Sequence, residues 1–189
     1  MGSPKPLLRL GSQNLLERIL SELLLFDESM KPIVVLGHES DRIRSGVSLS
    51  FSWVMNPQYR KGRTTSVQCG LRALPPETDG AFIWPVDCPL APRSVLKALA
   101  STFESADSIC IPSYDFRRGH PPLIGAAYFP EILSMHENQS LRELYKNHPD
   151  QILHVTVDAD AVLHNMNTRE DFLIIREKYE RNVIREQKP

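Results

Sequence analysis

The sequence predicts an α/β fold of three layers, Rossmann-like, with a mostly parallel sheet and helices on both of its faces. Short, continuous apolar runs recur along the chain, and amphipathic patterns of helical period lie between them. Such continuous runs indicate strands that are covered on both faces, because a half-exposed strand alternates apolar and polar residues. Strands that alternate with helices are typical of parallel sheets. The 189 residues suffice for one domain, 1–189, around a single core.

Each element follows from its local pattern. The first helix is predicted over 12–26, where leucine and isoleucine recur at helical spacing. The later predicted strands are 33–36, 51–55, 81–86 and 108–111, and the helices between them are 65–74 and 92–103. Two stretches, 152–157 and 161–163, predict a hairpin or a bend near the sheet edge. Thr168 is the predicted cap of the last helix, because acidic residues follow it in the first turn.

Composition narrows the class of function. A formal net charge of −1 with mixed signs gives no electrostatic reason to expect a nucleic acid partner. No apolar run is long enough to span a bilayer and no signal peptide is recognised, which predicts a cytoplasmic protein without a membrane partner. The scattered Cys69, Cys88 and Cys110 predict neither a disulfide framework nor a structural zinc site.

Polar residues that follow the predicted strands are the candidates for a site, because ligands of open α/β sheets lie at the carboxyl ends of strands. After strand 51–55 come Asn56, the turn residue Gly62, and then Thr65 and Ser66 at the start of the next helix. An ordinary loop with helix caps explains the same residues.

Single charged and amide residues stand at three other places. Asp87 follows strand 81–86 and either holds Mg²⁺ through one carboxylate oxygen or caps the next helix. Asn165 and Asn167 are two positions apart, so their side chains are expected on the same side of the chain. They either bind a metal or phosphate or cap the last helix. Lys5, between two prolines, is either a phosphate-binding cation or a solvated tail residue.

The loop after strand 108–111 is the most basic of the candidates. Its segment Arg117-Arg118-Gly119-His120-Pro121 offers two guanidinium groups and a glycine before a proline pair, which suits an anionic ligand. A solvated basic turn is the alternative. The sequence offers no recognisable Ser-His-Asp or Cys-His arrangement, so no protein nucleophile is predicted.

Taken in order along essentially the whole chain, these segments resemble the MobA-like nucleotidyltransferases, and most closely the molybdenum cofactor cytidylyltransferases. The similar segments are Pro-Lys at 4–5, Asn-Pro at 56–57, Gly62 with its later hydroxyls, Asp-Cys-Pro at 87–89, Arg-Gly-His-Pro at 118–121 and Asn-Met-Asn-Thr at 165–168. No motif alone is specific, and the order and spacing carry the resemblance.

The resemblance implies a nucleotidyltransferase that uses Mg²⁺ to transfer CMP from CTP to a molybdopterin-type acceptor, with release of pyrophosphate. It also implies a molybdoenzyme or a cofactor chaperone as a protein partner. The catalytic residues would be Lys5 and Asp87. The nucleotide would be bound by Lys5, Asn56, Gly62, Thr65 and Ser66, the acceptor by Arg117, Arg118, Gly119, His120 and Pro121, and the metal by Asp87, Asn167 and Asn165.

The chain departs from the family pattern at three places. Family members open with a Leu-Ala-Ala-Gly strand and a Gly-rich loop, whereas residues 1–8 resemble only the segment after that loop, so we expect a sheet that lacks its first strand. Cys88 replaces the usual glutamine. The segment 165–168 is similar to the guanylyl-transferring branch, which leaves GTP open as the nucleotide. A sugar or alditol phosphate is an alternative acceptor. Because the Gly-rich loop is missing, a non-catalytic remnant that binds a cofactor or a partner is a further alternative.

Overall fold

The computed structural model describes residues 3–186, with side chains to residue 180. The helices are α1 (Leu15–Phe26), α2 (Ser40–Ser45), α3 (Arg63–Arg72), α4 (Arg93–Thr102), α5 (Phe129–Ser134), α6 (Leu141–Asn147) and α7 (Arg169–Glu186). The strands are β1 (Arg9–Leu10), β2 (Gln13–Asn14), β3 (Ile33–Leu36), β4 (Ser52–Met55), β5 (Gly80–Phe82), β6 (Ile109–Tyr114), β7 (Arg117–Arg118), β8 (Leu123–Gly125) and β9 (Ile152–Thr156). None of the helices in this described part is both long and apolar enough to cross a bilayer.

The α/β fold is confirmed, but its strand pairing is mixed rather than mostly parallel. β3 pairs in parallel with β4, and β6 pairs in parallel with β9. β8 lies antiparallel between β5 and β6, and β7 turns back antiparallel on β6. The pattern did not predict β8, because its three residues follow Pro121 and Pro122 and are too few for a periodic signal.

The predicted strand 81–86 is shorter than expected. Its ladder with β8 ends at Phe82, and one further bond runs from the Ile83 N–H to the Pro122 carbonyl. Proline accounts for the ending, since Pro85, Pro121 and Pro122 have no N–H to donate. The stretch 161–163 belongs to a 3₁₀ turn, so of the two predicted alternatives, a hairpin or a bend, the structure has the bend.

The helix starts follow their capping residues. The Asn14 side chain accepts a hydrogen bond from the Glu17 N–H at 2.8 Å, and the Glu17 carboxylate accepts one from the Asn14 N–H at 3.1 Å. Because Asn14 caps the helix, α1 starts at Leu15 rather than at 12. The last helix has the predicted cap, since the Thr168 hydroxyl accepts from the Asp171 N–H at 3.0 Å.

The sheet is divided between β3 and β5. β3 and β4 form one sheet, and β5, β6, β7, β8 and β9 form another, with no ladder between the two among residues 3–186. α1 spans both, because its buried leucines pack with Val34 of β3 and with Phe82 of β5 in one cluster. β3 and β5 thus each pair on one side only among the described residues.

Candidate functional site

The first and last candidate segments meet at one point. The Lys5 ammonium donates a hydrogen bond of 2.8 Å to the Met166 carbonyl, and the Met166 N–H donates one of 2.8 Å to the Asp87 carbonyl. Trp84 fixes the Asp87 turn from the other side, since its indole N–H donates to the Cys88 carbonyl at 2.8 Å. Lys5 and Asp87 are far apart in sequence, yet both bond to the backbone of one buried methionine.

The two late asparagines lie on either side of Met166. Both are exposed while Met166 is buried, which is the alternation that the sequence predicts. Asn167 is the one that contacts Lys5, with its amide oxygen 3.5 Å from the ammonium nitrogen. The backbone N–H groups of Asn167 and Thr168 donate to the Asp171 carboxylate, which lowers the pKa of Asp171. The capping role is thus taken by Thr168 and Asp171.

The donor set at this point suits a magnesium ion that arrives with phosphate. Asp87 offers one carboxylate and Asn167 an amide oxygen whose contact with Lys5 is long. Among the described residues, no three His, Cys, Asp or Glu side chains converge on one point. Mg²⁺ is commonly held by one or two carboxylates while phosphates and waters complete its octahedron, so the residues present fit the ion.

Asn56 holds the loop that follows β4. Its amide N–H₂ donates to the hydroxyls of Thr65 and Ser66, each at 2.9 Å, and its amide oxygen accepts from the Gln58 N–H at 2.9 Å. The side chain is buried and all three contacts are with protein, so we assign Asn56 and the buried Thr65 to positioning the loop. Gly62 turns with φ of 128°, a conformation that favours glycine, and α3 begins directly after it.

The predicted acceptor loop is a β-hairpin whose arginines diverge. Asp115 and Phe116 form its turn with φ of 49° and 59°, both left-handed, as in a type I′ turn. Arg117 and Arg118 follow in β7, where successive side chains point to opposite faces. The Arg118 guanidinium lies 5.9 Å from the centroid of the Tyr145 ring, so Arg118 faces this aromatic ring and Arg117 faces away from it.

The rest of that loop is held by backbone contacts. Gly119 is buried, its N–H donates to the Pro112 carbonyl at 2.7 Å, and an added Cβ would lie 2.6 Å from Val162. Pro121 is also buried. Gly119 and Pro121 therefore shape the loop, whereas the half-buried His120 keeps a ring nitrogen, Nδ1, buried without a partner.

Arg63 is the basic residue of this region that the sequence patterns did not single out. Burial, and next the Arg63 guanidinium, lower the pKa of His120, while the Asp87 carboxylate opposes them. Burial raises the pKa of Tyr145 to about 12, against the effect of Arg63 and then of Arg118. Arg63 and Asp87 therefore both lie within electrostatic reach of His120, and Arg63 and Arg118 both lie within reach of Tyr145.

One sequence signal for Arg63 exists. It is the first residue of α3, where the helix dipole disfavours a cation, and it is exposed. A cation at this end is poor for helix stability, which is a reason to look for a function.

Cys88 is unsuited to nucleophilic chemistry. It is buried beside Asp87, and burial followed by the Asp87 carboxylate raises the pKa of its thiol to about 12. A thiol with this pKa stays protonated near neutral pH. The Cys88 thiol is therefore not a candidate nucleophile.

Sequence comparison finds one family and one curated relative. The model of the MobA-like NTP transferase domain matches residues 1–152. The bifunctional IPC transferase and DIPP synthase of Rubrobacter xylanophilus is 29% identical over 110 residues, which are 57% of this chain and 25% of the relative. The chain thus spans about a quarter of the length of that relative.

Solved structures share the fold. A homologue of Mycobacterium tuberculosis Rv0371c from Mycobacterium sp. strain JC1 has a TM-score of 0.82 at 22% identity, with 96% of this chain and 90% of that chain covered. Rv0371c itself, in complex with manganese, has a TM-score of 0.78 at 20% identity, with 93% of each chain covered.

Proposed function

Because the chain belongs to the MobA-like NTP transferase domain family, we propose that it transfers CMP from CTP to a molybdopterin-type acceptor, as one domain and with a divalent cation. The contact that carries this proposal is the connection of Lys5 to Asp87 through Met166, with 2.8 Å hydrogen bonds on both sides. It supports a site in which a cation suited to phosphate and an acid suited to a metal lie close together beyond the carboxyl end of β5.

The reaction needs positioning and charge neutralisation more than covalent catalysis. An anionic phosphate oxygen of the acceptor forms a bond to the α-phosphorus of the nucleotide. The bond from that phosphorus to the bridging oxygen breaks, and pyrophosphate leaves with the electron pair. Lys5 neutralises phosphate charge, while Gly62 and Ser66 line the nucleotide side on the loop that Asn56 holds.

Asp87, Asn167 and Asn165 would hold the divalent ion, magnesium in this proposal, which would supply Lewis-acid stabilisation of phosphate charge when bound. Arg118, with Arg63 nearby, meets the anionic acceptor. The charges of both Arg63 and Asp87 act on His120, which follows Arg118 by two residues.

Pyrophosphate release tests the proposal directly. The full chain is incubated with Mg²⁺, CTP or GTP, and either a molybdopterin or a sugar or alditol phosphate. Release that requires CTP and the molybdopterin supports the proposal, and release only with another phosphorylated acceptor overturns its acceptor. The sugar or alditol phosphates are included because the curated relative is named as an IPC transferase and DIPP synthase, not as a molybdopterin transferase.

We expect Arg118→Ala to raise the KM of the acceptor by about tenfold or more, with little change in the KM of CTP, because a charge-assisted contact contributes about 1.5–3 kcal/mol. Arg117→Ala is the matched control, since the neighbouring strand residue points to the other face. Steady-state kinetics with each substrate varied in turn measures both constants. Equal rises for both substrates, or equal effects of the two variants, would contradict the assignment.

Arg63→Met should lower kcat/KM for the acceptor by about 10- to 100-fold, because it removes a guanidinium within reach of His120 and Tyr145. The same replacement at Arg72, in the last turn of α3, removes an equal charge far from the site. Circular dichroism checks that both variants fold. If Arg72→Met is as impaired as Arg63→Met, net charge rather than position explains the loss.

A further inference from the structure

Three adjacent strands, β7, β6 and β9, present a polar patch that we call the Arg118 face and define by Ser113, Arg118, His154 and Thr156. Arg118 and Thr156 both pair with Ser113 of β6, which lies between them, and His154 pairs with Ile111. Paired residues of neighbouring strands share a face of the sheet, and so do residues two positions apart on one strand. The four side chains therefore lie on the same side of the sheet.

The opposite face of β9 is occupied by apolar packing. Leu153 and Val155 pack in one cluster with residues of α4, so α4 covers the side of β9 that is turned away from His154. On the side of His154, Tyr145 of α6 packs against the core cluster that includes Ile111. His154 is exposed, so a ligand in solution can reach its ring.

Arg118 reaches across β6 to His154. Its Nη2 lies 3.3 Å from the Nε2 of His154, and its guanidinium lies 5.9 Å from the centroid of the Tyr145 ring. A guanidinium can only donate, so Nε2 of His154 is the acceptor, and the imidazole is neutral with its proton on Nδ1. Partial desolvation, and next the Arg118 guanidinium, lower the pKa of His154, which agrees with a neutral ring.

Arg118 is the charged group that acts on His154 among the residues that the structure describes. β6 presents the neutral Ile111 and Ser113 to this face, and α6 presents Tyr145, whose pKa of about 12 keeps its hydroxyl protonated near neutral pH. The contacts of the Arg118 guanidinium are with a histidine and an aromatic ring rather than with a carboxylate. An anion that arrives here meets positive charge that no acidic side chain has neutralised.

We propose that the Arg118 face binds the dianionic phosphate group of a phosphate monoester, and that His154 takes up a proton from solvent at Nε2 when this group binds. A phosphate oxygen accepts from the Arg118 guanidinium in place of the histidine. The second phosphate charge offsets the repulsion between two neighbouring cations, so the imidazolium becomes the favoured form. That this monoester is the acceptor of nucleotidyl transfer rests on the proposed function.

Proton uptake gives the binding of the monoester a defined pH dependence. Binding raises the pKa of His154 from its lowered value, so the contribution of the imidazolium is fully present below the pKa of the free protein and is lost as the pH rises through the pKa of the complex. His154→Gln separates this contribution from positioning, because an amide oxygen still accepts from Arg118 but the amide gains no proton. The variant should therefore keep the orientation of Arg118 and lose the pH dependence.

The test follows the ring signals of His154 by NMR in the full chain during a pH titration, with inorganic phosphate or with chloride at the same ionic strength. We expect phosphate to raise the pKa of His154 by about one pH unit or more. His148, whose Nε2 lies 2.6 Å from the Glu131 carboxylate, is the internal reference. Arg118→Ala should abolish the rise, and Arg117→Ala should preserve it, because Arg117 points to the other face.

Phosphate affinity provides a second measurement that does not use the His154 signal. The ratio of the wild-type affinity to the His154→Gln affinity should increase about tenfold between about pH 8 and about pH 5, since a rise of one pH unit in a pKa corresponds to a factor of ten in binding. Taking the ratio cancels the titration of phosphate itself. Dimethyl phosphate, which carries a single charge, should raise the pKa of His154 much less than inorganic phosphate.

A pKa of His154 that is the same in phosphate and in chloride would overturn the inference. So would a rise that persists in Arg118→Ala, because the phosphate would then lie elsewhere, or an equal rise with dimethyl phosphate, because a dianion would not be required. Circular dichroism checks that the variants fold, and the comparison of phosphate with chloride needs no variant. These measurements use no nucleotide, so a chain that releases no pyrophosphate with any acceptor would contradict the proposed function and leave the phosphate site supported.

Discussion

Asp87→Asn is expected to lower turnover by about 10²-fold or more while leaving the fold intact. The Asp87 backbone holds Met166 through its carbonyl, and the turn is fixed by the indole of Trp84. These contacts survive the substitution, because neither uses the Asp87 carboxylate. In the proposed mechanism, the substitution removes the negative charge that would hold the divalent cation against the nucleotide phosphates.

Initial rates of pyrophosphate release across a Mg²⁺ titration measure this effect, with thermal melting as the check on folding. Asp150→Asn is the matched control, since Asp150 precedes β9 at its amino end, away from the carboxyl ends of the strands. Near wild-type turnover with an unchanged Mg²⁺ dependence would remove Asp87 from the site.

Gly125→Ala is expected to destabilise the protein by at least about 3 kcal/mol and to lower its melting temperature by about 10 °C. A Cβ on Gly125 would lie 2.0 Å from the carbonyl oxygen and 2.5 Å from the carbonyl carbon of Ala106. Both atoms are backbone, and hydrogen bonds fix this approach, from Ala127 N–H to the Ala106 carbonyl at 3.1 Å and from Gly125 N–H to the Ser108 carbonyl at 2.9 Å. No side chain can move to make room.

Gly70→Ala provides the comparison for that experiment. Its added Cβ would meet only the Val35 side chain, at 3.1 Å, and alanine favours the interior of α3 by about 0.5–1 kcal/mol over glycine. We expect its stability to lie within about 1 kcal/mol of the parent. Thermal melting of both variants suffices, and a Gly125→Ala protein as stable as Gly70→Ala would show that the backbone at Ala106 moves more easily than its contacts indicate.

Long periodic segments were predictable from the sequence, and short elements were not. α1, α3 and α4 differ by only a few residues from their predicted ranges, because each carries enough apolar repeats to define a buried face. α2, α5 and α6 have six or seven residues, too short to be stable alone, and their existence depends on tertiary contacts. Gln68 shows such a contact, since its amide donates to the Ile132 and Met135 carbonyls at the end of α5.

The candidate site was predictable where a residue follows a strand, and less so where geometry decides. Lys5, Asp87 and Asn167 come together as their positions in the pattern suggested. The opposite directions of Arg117 and Arg118 depend on β7, a two-residue strand without periodic signal. The sequence did not single out Arg63, because other cations precede it in the same basic loop. Only its place at the start of α3 distinguishes it from these neighbouring cations.

The hydrogen bond between Lys5 and the Met166 carbonyl has a consequence for synthesis on the ribosome. Its partners are separated by 161 residues, so the ammonium group of Lys5 gains its acceptor only after the intervening residues have been synthesised. Until then the Asp87 carbonyl also lacks the Met166 N–H. Helices and strands of the earlier residues can assemble during translation, since domains fold progressively as they emerge. The corner that joins Lys5, Met166 and Asp87 therefore completes only when residues 160–170 dock.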